Sequence, residues 1–222
     1  MQRITIGELI MRNNRLTCFL IGIIFLVLFF LMAIPVYLDH SWIQSLDAFG
    51  DQFLRQEIPD SFATIFHEIT TLADTNTIVL LTLILLLVLF IFKKWVVSTW
   101  TLGTIVICGL MVPQLLKLLI LRERPESGVI YASGHSFPSG HATMATVFYG
   151  LIMVWALNFL KDGWVKQLII IMMPILITLI AWSRVYLGVH YLSDVLAGIL
   201  LGTGQILIAT SLYWKLYERT RG

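Results

Sequence analysis

The sequence predicts an all-α integral membrane protein with six transmembrane helices. Of its 222 residues, 58% are hydrophobic and only 13% are charged, whereas soluble domains average about 45–50% apolar and about 25% charged residues. Long charge-free segments also follow one another along the chain, and about 20 apolar helical residues are enough to cross the hydrocarbon core of a bilayer.

These apolar segments predict the helices in chain order. The first lies at residues 16–38, between Arg15 and Asp39, and is too long for the apolar region of a cleaved signal peptide. We therefore expect it to be retained. The other helices are expected at about residues 75–92, 95–121, 141–160, 167–186 and 190–214. Residues 1–222 would then form a single membrane domain.

The longest connection, residues 39–74, is expected on the outer side of the membrane. Apolar residues recur in it at helical spacing, with charged residues between them: Trp42, Leu46, Phe49 and Phe53 alternate with Asp47, Asp51 and Arg55. This pattern is typical of a short amphipathic helix lying on the outer surface. An ordinary packed loop helix would show the same pattern, and the sequence leaves both interpretations open.

The distribution of basic residues predicts the orientation. If the N-terminus is cytoplasmic, ten of the fifteen basic residues face the cytoplasm, in agreement with the positive-inside rule. These ten are Arg3, Arg12, Arg15, Lys93, Lys94, Lys161, Lys166, Lys215, Arg219 and Arg221. The sequence therefore predicts a multi-pass protein of the plasma membrane with both termini in the cytoplasm. Four of the five remaining cations lie in or beside the motifs described next.

Two cations lie near the outer end of the third predicted helix. Lys117 is surrounded by leucines, and an ionisable residue at membrane depth indicates function by default. A lysine that only extends to the outer headgroups is the alternative. Arg124 follows two helical turns later on roughly the same face, and Pro125 ends the helix. Two cations on one face favour an anion ligand, and phosphate fits best.

A second polar cluster precedes the fourth predicted helix. Ser139 suits an N-cap position, and Gly140 allows the backbone to approach a ligand closely. Free N–H groups and the helix dipole make such an N-terminus an anion site. His141 follows in the first turn, where it could act on the anion or only cap the helix. The same tripeptide occurs at residues 133–135, but there His135 could at most contact a headgroup from the rim.

A third cluster joins the last two predicted helices. Arg184 is expected near the end of the fifth helix, and His190 and Asp194 open the sixth with a spacing of four residues, which puts them on one face. A carboxylate in that position can accept a hydrogen bond from one imidazole nitrogen and leave the other nitrogen with a free lone pair. A simple hydrogen bond on a helix surface is the alternative.

Together the three clusters resemble the motifs of a known enzyme family. Lys-x6-Arg-Pro ends at Arg124 and Pro125, Pro-Ser-Gly-His ends at His141, and Ser-Arg-x5-His-x3-Asp ends at Asp194. In this order they resemble the type 2 phosphatidic-acid phosphatase family. Its members are integral-membrane lipid phosphate phosphatases, among them the bacterial phosphatidylglycerophosphatase B and undecaprenyl-diphosphatase types.

The resemblance implies a role for each motif residue. His190 would be the nucleophile that forms a phosphohistidine, with Asp194 orienting its ring. His141 would be the general acid that protonates the leaving oxygen and then the base that activates water. The phosphate oxygens would be held by Lys117, Arg124, Ser139, Gly140 and Arg184. Phosphoryl transfer requires positioned positive charge around the phosphate oxygens, which is what such a set supplies.

The other polar residues near the motifs are not expected to take part in catalysis directly. Arg122 and Glu123 are expected to be solvated loop residues or rim contacts. His67, Glu68 and Asp74 could line the edge of the site or form loop hydrogen bonds. The sequence shows no cluster of acidic residues that suggests a metal site, so we expect metal-independent hydrolysis without a cofactor.

The expected function is hydrolysis of a lipid phosphate or diphosphate, with the site at the outer face. Undecaprenyl diphosphate, phosphatidylglycerol phosphate and phosphatidate all fit, and the sequence does not separate them. The alternatives are a phosphatase of a soluble phosphate ester and a non-catalytic lipid-binding membrane protein. The expected partners are a membrane lipid and the bilayer, with no nucleic acid; the oligomeric state is left open.

Overall fold

A computed structural model of the chain describes residues 14–56, 59–126 and 128–219, and within these ranges it is helical without β-strands. Arg3, Arg12 and Arg221 of the orientation argument lie outside the described residues, so the single domain over residues 1–222 stays a prediction. The helices are α1 Arg15–Tyr37, α2 Ser41–Asp51, α3 Ala63–Thr71, α4 Thr75–Ile91, α5 Trp95–Ile120, α6 Gly140–Phe159, α7 Trp164–Tyr186 and α8 Leu192–Arg219. A π-helical turn, Gln52–Gln56, continues α2.

Helix lengths and composition confirm the predicted multi-pass, all-α architecture. Helices α1, α5, α6, α7 and α8 are each long and apolar enough to cross a membrane. A sixth span arises if α3 and α4, which meet at a bend of 43°, are counted together. Helix α3 lies within the segment that was expected to be only an outer loop. Counted together, α3 and α4 form one span that is broken at this bend.

Helix α5 ends at Ile120, one residue before its predicted end at residue 121 and ahead of Pro125. Leu121 adopts a left-handed conformation with φ 54°, so the helix stops at Ile120. Ser136 holds the residues that follow the helix through two hydrogen bonds. Its N–H donates to the carbonyl of Arg122 at 2.8 Å, and its hydroxyl donates to the carbonyl of Glu123 at 2.9 Å. The prediction that Arg124 continues along the face of α5 is therefore wrong, because these carbonyls bond to a loop instead of a further helical turn.

Helix α2 forms where the sequence predicts an amphipathic helix, and the structure shows which of its faces packs against the bundle. Ile43, Asp47 and Gly50 are buried, whereas Trp42 is 43% exposed and Phe49 is 52% exposed. The apolar stripe therefore points away from the bundle, as in a helix that lies in the membrane interface. The inward face is set by close packing, since a Cβ on Gly50 would lie 2.6 Å from Leu192 Cβ at the start of α8.

Helix α6 is the central helix of the bundle, buried along most of its length between α7 and α8. Glycines of α8 allow this packing. A Cβ on Gly198 would lie 2.9 Å from the carbonyl oxygen of Ser139, and one on Gly202 would lie 2.7 Å from Thr146 Cβ. Small residues spaced by four positions bring membrane helices into such close contact. Helix α8 therefore lies directly against the first two turns of α6.

We expect Gly202→Ala to destabilise the protein by about 1–3 kcal/mol, because the added methyl group would overlap Thr146 on the facing helix. The matched control is Gly103→Ala in α5, where a Cβ meets nothing within 4 Å. The measurement is the midpoint of thermal unfolding of both variants in one detergent. Equal midpoints for the two variants would contradict the packing argument.

Candidate active site

The three polar clusters meet in one pocket of about 720 Å³ at the end of the bundle where α5 and α7 end and α6 and α8 begin. Six of the predicted site residues line it: Lys117, Arg124, Gly140, His141, Arg184 and His190. Asp194 is fully buried beneath His190, and Ser139 is fully buried beneath Gly140. Lys117 and His190, 73 positions apart in sequence, therefore line a single pocket.

His190 and Asp194 form a hydrogen-bonded pair at the start of α8. Their Nδ1 and Oδ2 atoms are 3.2 Å apart, and the same oxygen accepts the N–H of Tyr191 at 3.0 Å. His190 lies before the first residue of α8, Leu192, so the two side chains do not share a helix face as expected. They meet because Asp194 folds back over the first turn, in the manner of a capping box.

The contacts of His190 identify its tautomer. Arg124 Nη1 lies 3.2 Å from His190 Nε2, and a guanidinium group can only donate. Nε2 must therefore accept, and Nδ1 carries the proton that is donated to Asp194. Burial lowers the pKa of His190 well below its ordinary value of 6.5, and the hydrogen bond to Asp194 opposes this only in part. The ring is neutral at pH 7, with its lone pair on the side of Arg124.

A loop holds two of the cations through its backbone carbonyls. Lys117 Nζ donates to the carbonyl of His135 at 2.6 Å. Arg124 donates through Nε to Gly134 at 2.9 Å and through Nη2 to Ser133 at 3.1 Å. The first Ser-Gly-His tripeptide therefore contributes its carbonyl groups, which the sequence analysis missed. Carbonyl contacts depend on backbone conformation and leave no signature in residue type.

Arg184 is the most buried of the cations, with 5% of its surface exposed. Its Nη1 donates to the hydroxyl of Thr70 on α3 at 2.7 Å. Its Nε is buried and has no hydrogen-bond partner among the described residues. A buried donor without a partner costs about 1–3 kcal/mol. An anion bound in the pocket would supply the missing acceptor.

The N-terminus of α6 forms one wall of the pocket. Ser139 is the N-cap, and its hydroxyl accepts the N–H of Ala142 at 3.4 Å. Its own N–H donates to the carbonyl of Asp194 at 3.0 Å. A Cβ on Gly140 would come no closer than 4.0 Å to Lys117, so the space beside this glycine is open to a ligand. The first turn of α6 is thus anchored to the start of α8.

His141 is paired with Asp74, whose role the sequence left open. Its Nε2 lies 2.7 Å from Asp74 Oδ1, and Asp74 precedes the first residue of α4. His67 also lines the pocket, whereas Glu68 is not among its lining residues. Both histidines of the motifs are therefore hydrogen-bonded to a carboxylate, His190 through Nδ1 and His141 through Nε2.

Arg122 was expected to be a solvated loop residue or a rim contact, but it is largely buried and bonded to two carboxylates. Its Nη1 donates to Asp194 Oδ1 and to Ser193 Oγ, both at 2.7 Å, and its Nη2 donates to Asp47. Its guanidinium carbon lies 4.1 Å from the ring centroid of Tyr191. The expectation for Arg122 was wrong because its partner Asp47 lies on α2, far away in sequence, and the contact depends on how α2 packs. The only hint was an additional cation on the side of the membrane that is poor in them.

Comparison with known proteins identifies the family. Residues 98–218 match the model of the PAP2 superfamily. The chain is 40% identical over 93 residues to phosphatidylglycerophosphatase B of Bacillus subtilis, covering 40% of this chain and 45% of that protein. It is 39% identical over 93 residues to a putative undecaprenyl-diphosphatase of Escherichia coli, covering 40% and 42%. The aligned region thus spans about half the length of the curated relatives.

A solved structure shows the same fold. The crystal structure of the transmembrane PAP2 type phosphatidylglycerolphosphate phosphatase of Bacillus subtilis superimposes with a TM-score of 0.76 at 23% identity, covering 90% of this chain and 97% of that one. The family model matches more than half of the chain, and the matched residues 98–218 contain all three motifs. The chain belongs to the PAP2 superfamily.

The pocket should bind inorganic phosphate, and binding to the folded state raises thermal stability. We expect phosphate to increase the melting temperature of the wild type in detergent, and Arg184→Met to abolish the increase because it removes the buried cation. The matched control is Lys166→Met, whose cation is paired at 2.9 Å with Asp162, just before α7, outside the pocket lining. A full phosphate shift in Arg184→Met would argue against the anion site.

Proposed function

We propose that this member of the PAP2 superfamily is a lipid phosphate phosphatase that acts through a phosphohistidine on His190. The observation that carries the proposal is the convergence of three cations, the N-terminus of α6 and two histidines on one pocket. Helix N-termini and fixed cations stabilise the charge that phosphoryl transfer places on the phosphate oxygens.

The partners of the cations support this assignment. Lys117 and Arg124 are held by backbone carbonyls, and Arg184 is held by a hydroxyl group. These neutral acceptors position the cations without cancelling their charge. Arg122, in contrast, is bonded to two carboxylates. The positive charge of the first three residues therefore remains for a phosphate group.

In the first chemical step, the phosphate displaces the contact between Arg124 and His190 and takes over the guanidinium hydrogen bond. The lone pair of His190 Nε2 then attacks phosphorus, and the bond from phosphorus to the leaving oxygen breaks. His141 donates its proton to that oxygen. The products are the lipid alcohol, or the lipid monophosphate when the substrate is a diphosphate, and a phosphohistidine whose positive ring is stabilised by Asp194.

In the second step, His141 accepts a proton from water while the water oxygen bonds to phosphorus. The bond between phosphorus and Nε2 breaks, which releases orthophosphate and restores the neutral ring of His190. Asp74, hydrogen-bonded to His141, holds the ring of His141 in a fixed orientation for both proton transfers. Each histidine is thus oriented by a carboxylate.

We propose that hydrolysis needs no metal ion. Among residues 14–56, 59–126 and 128–219, no group of three or more His, Cys, Asp or Glu side chains is arranged to hold a metal. Lys117, Arg124 and Arg184 supply the charge that magnesium supplies in kinases and many ATPases.

The substrate is proposed to be undecaprenyl diphosphate, phosphatidylglycerol phosphate or phosphatidate. The relatives are named for the first two of these chemistries. Leu110 and Leu118 line the pocket beside Lys117 and are 41% and 66% exposed, so hydrocarbon chains can leave the pocket on the membrane side. From the distribution of basic residues, we place the site at the outer face of the plasma membrane, with both termini in the cytoplasm.

Replacement of His190 or His141 by Ala should reduce orthophosphate release by roughly a thousandfold or more, because each removes a group that bonds to or protonates the reacting atoms. The matched control is His135→Ala, which keeps the carbonyl that holds Lys117 and should retain activity. The assay compares undecaprenyl diphosphate, phosphatidylglycerol phosphate, phosphatidate and a soluble sugar phosphate. Substantial turnover by His190→Ala would refute the nucleophile assignment, and a preference for the sugar phosphate would refute the lipid substrate.

Hydrolysis should persist in excess EDTA, since cations of the chain take the place of a metal. The measurement is the initial rate of the purified protein before and after chelation, with added magnesium as the comparison. A rate that falls with EDTA and recovers with magnesium would contradict the metal-free mechanism.

A further inference from the structure

Two carboxylates from distant parts of the chain meet at the N-terminus of α8. Asp194 belongs to the first turn of α8 and is fully buried; Asp47 comes from α2 and is 6% exposed. Asp47 Oδ1 accepts the N–H of Ser193 at 2.9 Å, and its Oδ2 accepts the Ser193 hydroxyl at 3.0 Å. The helix dipole favours negative charge here, but two buried carboxylates still require a cation.

Arg122 supplies that cation to both. One of its terminal nitrogens bonds to Asp194 Oδ1 and the other to Asp47 Oδ2. The ring of Tyr191 covers the guanidinium group. A planar fork with two parallel donors can span two carboxylates, whereas a lysine ammonium is a single point charge. The bridge therefore depends on arginine at this position.

The bridge fixes the oxygen that faces the nucleophile. Asp194 has Oδ1 bonded to Arg122, which leaves Oδ2 for Nδ1 of His190. Without Arg122, the Asp194 carboxylate could rotate. It would also attract the proton on Nδ1 of His190 more strongly. Without Asp47, the positive charge of Arg122 would be balanced entirely by the negative charge of Asp194. With both present, the three charged groups carry one net negative charge beside the ring that becomes positive on phosphorylation.

We propose that Arg122 and Asp47 are positioning residues that hold Asp194, and through it the reactive tautomer of His190. The proposal deepens the phosphatase function proposed above and rests on it. Neither residue lines the pocket that contains Lys117, Arg124 and Arg184, so both act through Asp194 and not through the phosphate. Asp47 thereby links helix α2, which the sequence suggested was a surface element, to the residue that orients His190.

The kinetic test uses Arg122→Gln, Arg122→Lys and Asp47→Asn. We expect Arg122→Gln to lower kcat about tenfold to a hundredfold, the rate equivalent of one charge-assisted hydrogen bond, with KM nearly unchanged. Arg122→Lys should restore only part of the loss. Asp47→Asn should have a smaller effect, and the double variant should be no worse than Arg122→Gln alone, because both changes break one bridge.

The matched control is Asp51→Asn, one turn beyond Asp47 on α2. Asp51 bonds to Arg55 and Gln56 and does not contact Asp194 or Arg122. Its replacement should change kcat by less than about twofold, in the range of exposed ion pairs. A loss equal to that of Asp47→Asn would overturn the proposal, because it would show a general effect of charge on α2.

A second readout does not depend on turnover. The ¹⁵N NMR spectrum of protein labelled at its five histidines reports the tautomer of each ring, and His190→Gln identifies the His190 signals. We expect the Nδ1-protonated tautomer in the wild type and in Asp51→Asn. A mixture of tautomers or a protonated ring is expected in Arg122→Gln, and a smaller change in Asp47→Asn.

The two readouts separate the possible failures. A wild-type His190 spectrum in both Arg122→Gln and Asp47→Asn overturns the positioning role, whether or not kcat falls. A spectrum that changes in Arg122→Gln or Asp47→Asn, in a protein that hydrolyses no lipid phosphate, supports the positioning role and refutes the proposed phosphatase. Because Asp47→Asn keeps the shape of the side chain, it remains informative if Arg122→Gln does not fold.

Discussion

The close approach of α8 to the start of α6 is the contact on which the site depends. Gly198 has no Cβ, so α8 can lie against the carbonyl of Ser139. At this distance the N–H of Ser139 reaches the carbonyl of Asp194. The same aspartate holds His190 through its side chain. A single glycine contact thus fixes the start of α6, which carries His141, relative to the segment that carries His190.

Charge around the pocket is divided between two kinds of partner. Cations that face the pocket bond to carbonyl and hydroxyl groups, and their charge stays available. Arg122 bonds to two carboxylates, and its charge is compensated within the protein. Burial in a low-dielectric bundle makes this difference large, because an unpaired buried charge attracts an anion far more strongly than a surface charge does. Arg124 and Arg122 therefore differ mainly in the groups that they bond to, which are neutral for Arg124 and negatively charged for Arg122.

Two features of the fold were not predictable from local sequence, and they have a common cause. The apolar stripe of α2 was recognised, but its packed face was not, because Gly50 and Asp47 are chosen by contacts with α8. Arg124 was placed on the face of α5, although the chain leaves the helix at Leu121 and is bonded to Ser136 beyond it. In both places a local pattern of hydrophobicity or proline was overridden by a partner distant in sequence.

The sequence by itself determined the helical class, five of the membrane-spanning segments and the residues of the three motifs. Hydrophobic length and motif spacing are properties of short stretches of chain, so no neighbour can alter them. Only the tertiary structure decided that the carbonyls of residues 133–135 hold Lys117 and Arg124, that Asp74 reaches His141, and that Asp47 and Arg122 hold Asp194. These contacts join residues from different helices and from the loops between them, and their existence depends on how closely the helices pack.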